Sequence, residues 1–71
     1  MAHAAMTEAT RVETARTAFA EVTGVLEDAT IVASEGQATP NLLVARQSCD
    51  CLIALLEACL GQLQQLRRRL R

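Results

Sequence analysis

The sequence predicts an all-α protein built as an antiparallel two-helix hairpin, and three observations predict it. Alanine and leucine dominate a chain that is 51% apolar but 1% aromatic, with one Phe, one Pro and three Gly, so helix formers abound where strand and turn formers are scarce. Apolar or small residues recur at alternating spacings of three and four on both sides of one central break. That break, Ser34-Glu35-Gly36-Gln37-Ala38-Thr39-Pro40, holds the signals that close one helix and open another.

Residues 1–6 are expected to form a disordered tail. Helix one is expected over residues 7–35, with a seam of Val12, Ala15, Phe19, Val22, Leu26, Ala29 and Ala33. Six threonines and Gly24 lower its intrinsic propensity, so it should order only when packed. Residues 36–39 read as the loop, with Gly36 taking a left-handed conformation and Thr39 capping a helix that Pro40 begins. Helix two is expected over residues 40–71, with a seam of Leu42, Ala45, Cys49, Leu52, Leu56, Cys59, Leu63, Leu66 and Leu70. Folding about the loop sets Ala33 near Leu42, Leu26 near Cys49, Phe19 near Leu56 and Val12 near Leu63. Both seams then stay in phase along the whole overlap, as a short connection between antiparallel neighbours requires.

Charge supports the pairing. Residues 1–39 carry six acids and two Arg, whereas residues 40–71 carry five Arg and two acids, so the halves have opposite sign. This fold brings the terminal Arg67, Arg68, Arg69 and Arg71 beside Glu8 and Arg46 toward Asp28, with each exposed contact worth a few tenths of a kcal/mol.

Two helices nevertheless cannot hide all the apolar surface present. Ile53 and Leu60 flank the second seam on one side and Leu55 on the other, while Ile31, Val32, Leu43 and Val44 point away near the loop. A contiguous apolar surface of this kind marks an interaction site, so a protein partner or a second copy forming a four-helix bundle should complete the fold. Folding and association are then coupled.

Chemistry is scarce. His3 is the one histidine, with no partner held at a fixed distance, and neither paired carboxylates, a phosphate loop nor a nucleophile with its base can be found. Neither an enzyme nor a cofactor is expected. Cys49 and Cys59 fall on the seam as small hydrophobes, and Cys51 faces away. Cys49 and Cys51 diverge by about 200° on a helix, so Cys-x-Cys is not a metal pair. Three free thiols suit a reducing, cytoplasmic compartment, and the apolar runs, broken by Asp50 and Glu57, predict no membrane span. Arg67, Arg68, Arg69 and Arg71 could contact an anion or nucleic acid, yet no aromatic residue is interleaved to stack bases and the net charge is −1.

The hairpin, its Gly36-Gln37-Ala38-Thr39-Pro40 loop and the rhythm of Ala54-Leu55-Leu56-Glu57-Ala58-Cys59-Leu60-Gly61-Gln62-Leu63 resemble the small E-type co-chaperones of bacterial type III secretion systems. The resemblance covers residues from about 10 to 66. It implies a cytoplasmic helical hairpin that joins a TPR-like chaperone and helps keep the needle subunit unpolymerised. The alternative reading is a homodimeric four-helix-bundle regulator, RNA-binding through its Arg-rich end.

Overall fold

The computed structural model describes residues 7–71; the expected tail, His3 included, lies outside them. Two helices, α1 (Glu8–Ala38) and α2 (Leu42–Arg69), fold back on each other as an all-α hairpin. Thr7 opens α1, its hydroxyl accepting the backbone N–H of Thr10 at 3.1 Å, and Glu8 places a carboxylate in the first turn, where the helix dipole favours it. The threonines are accommodated in part by back-bonding. Thr23 and Thr30 donate their hydroxyls to the Phe19 and Leu26 carbonyls at 2.9 Å.

The expected end of helix one, at residue 35, is overrun by three residues. Gly36 sits inside α1 rather than closing it, and its missing side chain serves a different purpose. A Cβ there would stand 3.3 Å from the Ser48 Cβ, so glycine lets the two helices approach where the hairpin turns. Instead, α1 stops because Pro40 pushes the residue before it out of the helical region, and Thr39 is extended at φ −80° and ψ 136°. The Thr39 hydroxyl accepts the Asn41 N–H at 3.2 Å, and the Asn41 side-chain oxygen accepts the Val44 N–H at 3.2 Å. Asn41, not Thr39, is therefore the cap of α2, and Pro40 lies in the connection. At the other end the Leu70 N–H closes the last turn onto the Leu66 and Arg67 carbonyls.

The later turn changes the register. Gly36 lies against Ser48, and the Arg11 guanidinium donates to the Arg71 carbonyl, so opposing residue numbers add to 84 and 82. The pairs expected from the seams add to 75. Arg71 thus meets Arg11 rather than Glu8, and Arg46 stands level with the end of α1 instead of Asp28. A heptad pattern looks alike after a seven-residue slide, so it sets phase while the turn sets register.

The contact line also differs from the expected seam. Along α1 the sheltered residues include Ala15, Ala18, Val22, Val25, Ala29, Val32 and Gly36; along α2 they include Ala45, Ser48, Leu52, Leu55, Cys59, Leu63 and Leu66. Ala15, Val22, Ala29, Ala45, Leu52, Cys59, Leu63 and Leu66 keep their expected places. Val12, Phe19, Leu26 and Ala33 on α1, Leu42, Cys49 and Leu56 on α2, and Leu70 at its C-terminal cap do not, being exposed. At each of the displaced inner positions the preceding residue takes over: Ala18 for Phe19, Val25 for Leu26, Ser48 for Cys49, Leu55 for Leu56. Each helix is thereby turned by roughly 50°, half the 100° step between neighbours. Smaller side chains at most of these positions let the axes come closer. Because the helices run antiparallel, the same turn reckoned along each chain swings both original seams to the same side of the pair.

Candidate interaction surface

On that side, Val12, Phe19 and Leu26 form a line on α1 within about 40° of arc, and Leu42, Ile53, Leu56 and Leu60 form one on α2 within about 60°. All seven are 46% to 76% exposed. By contrast only Val22, Ala29, Cys59 and Leu66 are buried among the described residues, and no described side chain is fully enclosed. A pair of helices measuring 15 × 12 Å across has one thin contact line and nothing behind it.

The arginine-rich end of this face is concave. Glu8, Arg11, Val12, Ala15, Arg16 and Phe19 of α1, with Leu70 reaching across from α2, line a cleft of about 470 Å³. Its lining is mostly apolar, and its charged groups are the Glu8 carboxylate and the Arg11 and Arg16 guanidiniums. The hairpin gathers six of the chain's seven arginines at this end, since Arg11 and Arg16 join the exposed Arg67, Arg68, Arg69 and Arg71.

The residues expected to bind a partner fall into three places. Ile53 and Leu60, exposed by 54% and 55%, belong to the apolar face. Leu55, and Val32 on α1, are half-buried on the contact line instead of facing outward, so they work inside the hairpin. Ile31, Leu43 and Val44 are exposed, but they lie around the loop end and turn away from the face. Leu56, Leu26, Phe19, Val12 and Leu42, which the sequence pattern assigns to the seam, make up the rest of the face. For Phe19, Leu26 and Leu56 the signal was the doubled apolar line, since Ala18, Val25 and Leu55 stand one position earlier. Two adjacent lines on one helix mean two packing directions.

Cys59 is buried, as its seam position predicts, and Cys51 is exposed. Cys49 is exposed rather than on the seam, because Ser48 takes the inner position beneath Gly36. Among the described residues no group of His, Cys, Asp and Glu could hold a metal ion, and no helix is long and apolar enough to cross a membrane.

Surface burial is what this arrangement can do. With a full area of roughly 150–220 Å² per side chain, the seven large residues leave on the order of 700 Å² in water, close to the ~800 Å² that each partner buries in a standard interface. Covering it is worth about 17 kcal/mol gross at 25 cal/mol per Å², enough to exceed an association cost of about 4–15 kcal/mol.

Compared with protein-family models, with curated proteins and with solved structures, the chain matches none.

Proposed function

We propose that the chain is a small interaction protein that works by lending half of a helical bundle to another helical surface. The uncovered line of Phe19, Leu26, Ile53, Leu56 and Leu60 carries the reading, because so large a contiguous apolar face on so thin a hairpin marks an interaction site. The most specific form is a type III secretion co-chaperone that completes a TPR-like chaperone and so helps keep the needle subunit soluble. The residues that resemble that family support it, and the free thiols of Cys49, Cys51 and Cys59 fit a cytoplasmic place of action. The activity required is the covering of one apolar helix by another, with no covalent step.

The test is Ile53→Asp with Leu60→Asp in the full tagged chain. Both side chains point away from α1, so a fold formed without them should keep its helical circular dichroism. The partner retained by the unaltered chain should be lost, and equal retention by both proteins would overturn the proposal. For the specific form, co-expression with the chaperone and needle subunit of a cognate system should yield one soluble ternary complex; a needle subunit equally soluble without the hairpin would sink it.

A further inference from the structure

Charge is not spread evenly around the hairpin. On α2, Arg46, Ile53, Leu60 and Arg67 follow one another at seven-residue spacing in a single exposed row, so an arginine closes the apolar pair at each end, about 32 Å apart. On α1, Arg16 lies four residues after Val12 and three before Phe19, and with Arg11 it lines the cleft on the same face. The numbers of Arg16 and Arg67 add to 83, between the 84 and 82 that fix the register, so these two stand level across the face. Leu26 and Leu56 at its middle, which add to 82, are level as well.

The acids lie elsewhere. Glu8, lining the cleft at the start of α1, is the one carboxylate of the described residues on this face. Reckoned from the contact line beside them, Arg16 and the Arg46 row lie about 130° round their helices, on the side of the uncovered face. Glu13, Glu27, Asp50 and Glu57 lie about 180° round, on the two outer edges, and Glu21, Asp28 and Glu35 turn to the opposite face. A chain of net charge −1 thus presents its apolar face with four guanidiniums against one carboxylate.

We infer that the face takes an acidic amphipathic helical surface, one whose apolar stripe is closed by carboxylates at both ends, most densely at the end that lies on the cleft. The inference rests on the reading of this face as an interface and names the chemistry of its occupant. A neutral helix would cover Phe19, Leu26, Ile53 and Leu60 but leave the guanidiniums at its rim without partners, whereas carboxylates there supply charge-assisted hydrogen bonds. A second copy fits poorly. Whichever way round it is laid, arginine meets arginine at both ends. An anionic lipid surface fits poorly for a different reason: a broad plane of charge also faces the four acids on the outer edges, while a helix about 10 Å across reaches only the arginine rows.

Two labelled peptides of about 28 residues, each with leucines at alternating three and four spacings, separate charge from burial. One carries glutamates at both ends of the stripe and the other lysines at the same positions. Net charge alone favours the lysine peptide, since the chain is at −1. Fluorescence anisotropy against the full chain should instead show the glutamate peptide bound about tenfold more tightly, with the difference shrinking as salt is raised. Arg16→Gln, Arg46→Gln and Arg67→Gln together should remove that preference, whereas lysine at the same three positions should keep it. Equal binding of the two peptides would overturn the inference and leave the face an apolar interface of no set charge. So would a preference that survives the three glutamines. Binding of neither peptide would overturn it too; a chain that then sediments as a dimer covers the face with a second copy, and one that floats with phosphatidylglycerol vesicles covers it with lipid. The pull-down with Ile53→Asp and Leu60→Asp decides separately whether the face is an interface at all.

Discussion

The two apolar lines on α1 differ in the size of what they present, whereas on α2 both lines carry leucine. Toward its partner helix α1 offers Ala15, Ala18, Val22, Val25, Ala29, Val32 and Gly36; outward, on the uncovered face, it offers Val12, Phe19 and Leu26. The inner line is small because close axes need small residues, and Gly36 against Ser48 is the extreme case. The outer line is bulky because bulk supplies hydrophobic free energy per residue. The inner line therefore sets the geometry of the hairpin, while much of the driving force for burial is held on the other side.

The same change made on the two lines should have different consequences. Leu66 is the most sheltered large residue, 4% exposed, and Leu66→Ala should destabilise the hairpin by about 2–4 kcal/mol through lost burial and a cavity. Leu60 is 55% exposed on the other line, and Leu60→Ala should cost the isolated hairpin about 0.5 kcal/mol or less. Urea titration followed by circular dichroism, at concentrations low enough to suppress association, measures both. Equal losses would mean that the two faces are not distinct.

A smaller effect tests where the turn sits. Asn41 caps α2 through its side-chain oxygen, so Asn41→Ala should cost about 1 kcal/mol. Thr39→Ala removes only a hydroxyl that accepts one turn N–H and should cost less than half as much. The reverse order would restore the loop to residues 36–39 and, with it, the register that brings Leu26 opposite Cys49.

That contrast also marks how far the sequence could be read. Helix class, two elements and a fold-back turn were legible because alternating three and four spacings admit little else, and Cys59 and Leu66 were placed correctly because they fit either apolar line. Register was not legible, since a heptad seam survives a slide of one repeat. Nor was rotation, because Leu55 and Leu56, or Val25 and Leu26, are equally apolar and differ only in where the opposing backbone can come close. The interaction face was half-legible for the same reason. Ile53 and Leu60 were recognised as surplus, whereas Phe19, Leu26 and Leu56 looked like core until Ala18, Val25 and Leu55 were found in their places.

The three glycines divide along the same line, with the smallest expected effects. Around Gly24 and Gly61 nothing lies within 4 Å of an added Cβ, so each pays the helix penalty of glycine with no packing return. Gly24→Ala and Gly61→Ala should each stabilise the hairpin by about 0.5–1 kcal/mol, through a less flexible unfolded chain and a better helix former. Gly36→Ala has the same intrinsic advantage, but its methyl group would meet the Ser48 Cβ at 3.3 Å, where Ser48 sits on the backbone of the opposing helix and has little room to give. The gain should vanish or reverse there. Thermal melts of the three variants decide the matter: a gain at Gly36 equal to the other two would mean that the helices are not pinned at the turn, and the register that aligns Leu26 with Leu56 would lose its anchor.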